Sequence, residues 1–183
     1  MAWLGLAGYE PPMGFAGFLA GWTLMMAAMM LPSIAPLVVL HHGPRLPLAA
    51  GYLAVWGAIG LVPFAAMEWG IEPAAPVVLA LGGVYELTPV KSACLRRCRN
   101  AASFLMERYR NGPFRLGVEH AVWCVGCCVG LMAVLVLAAA MGLQWAALIA
   151  AVVFVQKVLP FPQLSSRLTG LALVAAAVVV GLT

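Results

Sequence analysis

The residues best suited to chemistry are one histidine and three cysteines within nine residues of otherwise apolar sequence. They are His120, Cys124, Cys127 and Cys128, written H-A-V-W-C-V-G-C-C. On an α-helix, positions i, i+4 and i+7 or i+8 share a face, so one imidazole and two or three sulfur atoms point the same way. Cysteine also packs as a small apolar residue. Because thiolate and imidazole suit Cu(I) and Zn(II), the cluster favours a soft-metal or redox site.

A second pair of thiols, Cys94 and Cys98, lies in the most basic segment of the chain, C-L-R-R-C. A spacing of four places both sulfur atoms on one helical face. The neighbouring arginines favour the thiolate form, which is the metal ligand and nucleophile. The short stretch 99–119 contains the turn signal Asn-Gly-Pro at 111–113, so the chain can fold back there. We therefore expect this pair to approach the cluster around His120.

Four methionines form a third group in the first apolar segment, where W-T-L-M-M-A-A-M-M-L-P occupies residues 22–32. They form two i, i+4 columns, Met25 with Met29 and Met26 with Met30. Thioethers are ligands for Cu(I) and poor ones for Zn(II). A methionine stripe more often fills gaps or faces lipid. Ligation by these residues is thus a hypothesis that depends on the cysteines.

The amino-acid composition indicates whether the chain folds in water or in lipid. Of 183 residues, 64% are hydrophobic and 9% are charged, whereas a soluble domain carries about a quarter charged residues. Such a chain has too few polar residues to cover the surface of a soluble fold. The composition therefore predicts an all-α, polytopic transmembrane helical bundle within the lipid bilayer. The five cysteines, an odd and clustered set, do not indicate a disulfide framework. The basic residues are concentrated in loops, so nucleic acid is not an expected partner.

Six apolar segments predict about six spans in a single membrane domain over 1–183. The spans are expected at about 14–40, 48–67, 73–90, 113–141, 144–159 and 168–182. An amphipathic helix at the membrane interface is expected at about 91–110, with its cysteines on the apolar stripe and its arginines opposite. With six spans, all ten Lys and Arg fall on one side of the membrane. The positive-inside rule then places this helix in the cytoplasm and both termini on the outer face.

These motifs resemble a bacterial family of predicted metal-binding integral membrane proteins, the domain of unknown function 2182, often labelled copper chaperone. The resemblance covers most of the chain and rests on four stretches, at 22–33, 51–56, 85–99 and 117–128. It implies a multi-pass protein of the bacterial inner membrane and a copper site at the cysteine and methionine motifs. The chain departs from the expected family pattern at Glu86, where glutamine is expected, and at Arg97, where histidine is expected. The second difference removes one potential ligand beside Cys98.

The sequence supports three functions. The favoured one is a protein that binds copper as Cu(I), with zinc as the alternative metal, and holds it or hands it to a copper enzyme or to other membrane subunits. The second is a thiol–disulfide oxidoreductase relay, since C-V-G-C at 124–127 has the spacing of redox pairs. The predicted position of these thiols on the reducing cytoplasmic side counts against a relay and against an enzyme. The third is a structural subunit of a larger membrane complex.

Overall fold

The computed structural model describes residues 14–71, 74–108, 112–139 and 143–182, and these residues form nine α-helices and no β-strand. The predicted all-α class is confirmed for them. The helices are α1 Phe15–Leu40, α2 Arg45–Ile59, α3 Leu61–Glu68, α4 Ala75–Glu86, α5 Pro89–Arg99, α6 Ala101–Arg108, α7 Pro113–Ala139, α8 Leu143–Val158 and α9 Pro162–Leu182.

Four helical segments in the described part of the chain are long and apolar enough to cross a membrane. They are α1, α2 joined to α3, most of α7, and α9. α4 and α5 qualify as a fifth only when taken together, and they are bent by 65°. The apolar part of α8 is shorter. Several helices thus have the dimensions expected of membrane spans, and the count of six stays a prediction.

Several predicted span boundaries differ from those of the helices. α4 has 12 residues, about 18 Å at 1.5 Å per residue, and ends at Glu86 rather than at position 90. α9 begins at Pro162 rather than at 168, because proline is favourable at the first helical position. α2 begins at Arg45 rather than at 48. The predictions for position 73, position 141 and both termini lie outside the described residues.

The single interfacial helix predicted over about 91–110 is divided into α5 and α6 at Asn100. The Asn100 side-chain oxygen accepts a hydrogen bond from the Ser103 backbone N–H at 3.3 Å, so this residue caps α6. Thr88 plays the same part for α5: its hydroxyl accepts the Lys91 N–H at 3.3 Å, and a proline follows it. The break leaves Cys98 buried and Ala102 exposed, so the predicted stripe is not continuous.

The described helices cluster into two compact units. Residues 14–65 and 93–127 form one, called the cysteine unit here, and residues 66–92 and 128–182 form the other. The prediction of a single membrane domain therefore stays a prediction. In the cysteine unit, α1 packs on α2 and α6.

A close backbone approach joins α2 to α7 in the cysteine unit. A Cβ placed on Gly51 would lie 2.1 Å from the carbonyl oxygen of Phe114, and one placed on Gly117 would lie 2.0 Å from that of Leu48. No larger residue fits at either position without moving the helices apart. Small residues permit such crossings between apolar helices. The crossing positions the next residue of α2, Tyr52, beside the cysteines of α7.

The second unit is built on α4 and α9, which approach closely at Gly83 and Gly170. At the cytoplasmic end predicted for α4, a buried ion pair joins Glu86 to Lys91 across the helix break. Gln156 accepts a hydrogen bond from Lys91 at 2.7 Å and donates one to Glu86 at 2.9 Å. Because the carboxylate and ammonium both have such partners, their burial is compensated and the bend between α4 and α5 is fixed.

Candidate metal centre

Three cysteine sulfur atoms meet in the interior of the cysteine unit. The Sγ atoms of Cys98, Cys124 and Cys127 all lie within 4.8 Å of one another. Their residues are 4%, 0% and 1% exposed, so water has almost no access to the sulfur atoms. α7 contributes two of them from consecutive turns, and α5 contributes the third. All five cysteines of the chain are free thiols.

His120 lies one turn before Cys124 on α7, beside the three-sulfur group but outside it. Its Nε2 atom is 4.0 Å from the Sγ of Cys98, and the residue is 1% exposed. The imidazole packs edge-on against the ring of Phe104, with 5.2 Å between ring centroids, and lies 6.1 Å from the ring of Tyr52. The aromatic packing holds the imidazole beside the thiols. Three sulfur atoms therefore converge from two helices, with the His120 nitrogen in reach of the Cys98 sulfur. Ligation by His120 stays a prediction.

The site contains one polar residue that the sequence analysis did not assign to it. The Tyr52 hydroxyl lies 2.9 Å from the Sγ of Cys124 and 3.5 Å from the carbonyl oxygen of Met30, and the residue is fully buried. A buried tyrosine hydroxyl needs a hydrogen-bond partner. Its position in an apolar helix directly after Gly51 was the available signal. When Cys124 is a thiolate, this hydroxyl donates to it.

The other predicted cysteine ligands lie in different surroundings. Cys94 is half-buried one turn before Cys98, and a Cβ added to Gly126 would lie 2.9 Å from its sulfur. The Cys94 thiol thus packs against α7 next to Cys127. Cys128 follows on α7 and is also buried, at 2% exposure. Participation of Cys94 and Cys128 in a metal site stays a prediction.

The two methionine columns of α1 face different ways. Met26 and Met30 are fully buried, whereas Met25 and Met29 are only partly buried. The backbone of Met30 is brought close to the thiols because its carbonyl accepts from the Tyr52 hydroxyl. The inner column is therefore the one placed toward the interior of the cysteine unit, and ligation by any of the four stays a prediction.

Ion pairs fasten the helices that carry the cluster. Glu119, which precedes the cluster histidine, accepts from Arg108 of α6 at 2.6 Å and from Arg115 at 3.0 Å. Arg97 of α5 pairs with Glu107 of α6, and its guanidinium lies 5.1 Å from the centroid of the Trp123 ring. These contacts tie α5, α6 and α7 together around the thiols. They are partly exposed, so each adds only about 0–1 kcal/mol, and they serve mainly to fix geometry.

The donor set determines what the arrangement can bind. Thiolate sulfur and imidazole nitrogen favour Cu(I) and Zn(II) over hard cations such as Mg²⁺ or Ca²⁺. A cation shared by the three sulfur atoms would offset the cost of burying thiolate charge. The cluster is thus a buried three-cysteine group able to hold a soft metal ion.

Comparison with known proteins agrees with this chemistry. The model of the PpoB2 family, described as copper chaperone, matches residues 19–180, which include every residue of the cluster. No curated protein and no solved structure matches the chain. The resemblance to a copper chaperone family, carried by the methionine and cysteine motifs, is confirmed. The chain belongs to the PpoB2 copper chaperone family.

Proposed function

We propose that the protein lies in a membrane, binds one Cu(I) ion through Cys98, Cys124 and Cys127, and hands it to a copper enzyme or a copper-containing membrane complex. The observation that carries the proposal is the mutual approach of the three buried sulfur atoms to within 4.8 Å. The apolar lengths of α1, α2 with α3, α7 and α9 support the membrane location.

The choice of copper over zinc rests on two observations outside the thiol cluster. A site with three cysteines and one histidine is also a common zinc site, so the cluster alone does not discriminate. The family description favours copper. Met26 and Met30 are buried in the same unit, and the Met30 carbonyl accepts from the Tyr52 hydroxyl. A thioether from this pair would favour Cu(I) over Zn(II).

Burial also suits a monovalent soft ion. Thiolates in an apolar interior are costly unless a cation neutralises them. Cu(I) bonded to two or three sulfur atoms leaves a small net negative charge, which the Tyr52 hydroxyl stabilises by donating to Cys124. A buried site of this kind keeps Cu(I) away from water and from oxidants. Holding and transferring the ion, rather than catalysing a reaction on it, is the role that these features support.

Metal analysis of the detergent-purified protein tests the proposal. Protein from copper-supplemented cells is expected to carry about one copper per chain, with sulfur in its first coordination shell by X-ray absorption spectroscopy. Cys124→Ser and Cys98→Ser are expected to lose the metal. Cys128→Ser is the matched control, since it makes the same change on α7 outside the three-sulfur group, and it is expected to keep it.

Four results would contradict the proposal. Copper retained in full by both Cys124→Ser and Cys98→Ser would remove the assigned ligands. Zinc in place of copper, even after growth with copper, would change the metal. A native protein without metal, whose α7 thiols react with impermeant reagents only from the outer face, would instead support the thiol–disulfide relay. Absence of both metal and accessible thiols would leave the structural-subunit role.

A further inference from the structure

A groove on the exposed side of α5 and α6 lies next to the thiol cluster. Its volume is about 370 Å³, within the range of about 300–1,000 Å³ that is usual for small-molecule sites. The polar side chains that line it are Arg96, Arg97, Asn100, Ser103 and Glu107, and the aromatic ones are Phe104 and Trp123. All of them belong to the cysteine unit.

The groove carries charges of both signs. Arg96 is exposed on α5, while Arg97 is partly buried and pairs with the exposed Glu107 across the α5–α6 break. Guanidinium groups bind carboxylates, and a glutamate binds an ammonium group. Asn100 and Ser103 add neutral polar groups. The lining thus matches a small ligand that carries both carboxylate and ammonium groups, and its excess positive charge favours an anionic one.

Three of the residues that line the groove each precede a cysteine in the sequence. Arg97 precedes Cys98, Trp123 precedes Cys124, and Ala93, which also lines the groove, precedes Cys94. Cys94 is the half-buried thiol that packs against Gly126 of α7, and it lies one helical turn from Cys98. Side chains at i and i+4 on a helix have Cβ atoms about 5–6 Å apart. Cys94 does not itself line the groove. The helical period of α5 places it between Ala93 and Arg97, which do line it, and the buried Cys98.

We propose that this groove docks the donor of copper, a small amino-acid-derived thiol that carries Cu(I) on its sulfur, and that Cys94 is the first residue to take the ion. This inference rests on the proposed copper-binding function. The carboxylates of the carrier bind Arg96 and Arg97, its ammonium group binds Glu107, and its metal-bearing sulfur is directed to Cys94.

The transfer is a ligand exchange without change of oxidation state. A Cu–S bond forms with the Cys94 sulfur as the Cu–S bond to the carrier breaks. The proton of the Cys94 thiol moves to the sulfur of the departing carrier, which leaves as a thiol. Copper stays Cu(I) throughout, and a second exchange of the same kind passes it to Cys98 and then to the pair on α7.

Loading kinetics of the metal-free, full-length protein in detergent test the inference. Cu(I) is supplied either as its glutathione complex or as its acetonitrile complex, which has no carboxylate or ammonium group. Arg96→Gln is expected to slow loading from the glutathione complex about two- to fivefold, the effect of losing one exposed ion pair. It is expected to leave loading from the acetonitrile complex unchanged. Arg99→Gln, the same charge change on α5 outside the groove lining, is the matched control and is expected to leave both rates unchanged.

Two further measurements examine the site itself. S-methylglutathione, which has the same charged groups but no free thiol, is expected to inhibit loading of the native protein from the glutathione complex alone. Cys94→Ser is expected to slow loading by both routes while the final copper content stays at one per chain.

Equal slowing by Arg96→Gln and Arg99→Gln would overturn the inference, because it would indicate general charge attraction. So would loading that S-methylglutathione does not inhibit. If Arg96→Gln releases bound anionic lipid and loads at the native rate, the groove binds lipid headgroups instead. Loading from the acetonitrile complex distinguishes these results from failure of the proposed function. If that function fails, the native protein takes up no copper from either complex.

Discussion

Tyr52→Phe isolates one hydrogen bond of the candidate centre. The substitution keeps the aromatic ring that fills the space beside His120 and removes the hydroxyl that lies 2.9 Å from the Cys124 sulfur. It also removes the longer contact of 3.5 Å with the Met30 carbonyl. Because the residue is fully buried, water cannot take the place of the hydroxyl at the sulfur.

The magnitude follows from the two states of Cys124. In the copper-bound protein the hydroxyl donates to a thiolate, and a hydrogen bond to a charged group contributes about 1.5–3 kcal/mol, against about 0.5–1.5 kcal/mol between neutral groups in the metal-free protein. Only the difference, about 1–1.5 kcal/mol, affects binding. We therefore expect the Cu(I) dissociation constant of Tyr52→Phe to be roughly five- to tenfold higher than that of the native protein.

Competition with a chromophoric Cu(I) chelator at fixed pH measures this constant. Tyr85→Phe serves as the control because it removes a tyrosine hydroxyl from the other compact unit, and its affinity is expected to equal that of the native protein. Thermal unfolding of the metal-free variants shows whether any change in affinity follows from loss of folding. A well-folded Tyr52→Phe protein with native or tighter affinity would refute the reasoning, because the hydroxyl would then make no contact with a metal-bound thiolate.

Three other predictions concern the scaffold and the thiols. Lys91→Met is expected to destabilise the protein by about 3–5 kcal/mol, because it leaves the buried Glu86 charge uncompensated. The double variant Glu86→Gln/Lys91→Gln is expected to lose less stability, because it leaves no buried charge. Denaturation in detergent micelles compares the two, and a larger loss in the double variant would contradict this reasoning. Gly117→Val is expected to push α2 away from α7 at the Leu48 carbonyl and so to lower both stability and copper content. Gly112→Ala is the control: there is open space around this residue, and the substitution is expected to change neither property. A native copper content in Gly117→Val would show that the crossing does not position the site. The Cu(I) affinity of the native protein is expected to rise between about pH 6 and pH 8, because thiols release protons when they bind metal; a flat profile in a chelator competition would exclude thiol ligands.

The parts of the site that follow from one helix could be predicted from the sequence. The shared face of His120, Cys124 and Cys127 depends only on the 3.6-residue period of α7, and the apolar segments gave most helix positions within a few residues. That Glu86 needs an ionic partner also follows from the cost of burying a charge, whereas the choice of Lys91 over a nearby arginine does not. These inferences use local geometry or the cost of burial, and neither depends on how the helices pack.

The rotation of each helix about its own axis could not be predicted. Periodicity grouped Met25 with Met29 and Met26 with Met30, but both columns are equally apolar, so only packing decides that the second is buried. The same applies to Cys98, which is buried, and to Cys94, which is half-buried. The glycine crossing of α2 and α7 fixes some of these rotations, and its carbonyl contacts are between residues more than 60 positions apart, such as Gly51 and Phe114.

The division of the predicted interfacial helix shows two local signals in competition. The apolar stripe from Cys94 to Leu105 favours one continuous helix. Asn100 lies on the polar side of that helix, so it does not interrupt the stripe. As a cap, however, asparagine contributes about 1 kcal/mol by accepting a backbone N–H. The cap, the Arg97–Glu107 ion pair and the burial of Phe104 against His120 act together across the break. The break thus brings α6 over the cluster. In one straight helix, the α6 residues would lie beyond the cluster and could not pack against it.

The thiol cluster and the group around Glu86 and Lys91 are both buried, and they differ in a way that bears on function. Around Glu86 and Lys91, strong donors and acceptors satisfy one another, so hydrogen bonds and the ion pair suffice to hold the group together. Sulfur is a weak donor and a weak acceptor, and hydrogen bonding among three thiols contributes little to gathering them. If packing alone were required, alanine or valine would serve at these positions, and a tyrosine hydroxyl directed at Cys124 would be a cost rather than a benefit. A soft cation would supply the missing attraction, and for this reason we assign the proposed copper site to the thiol cluster and not to the ion-pair network.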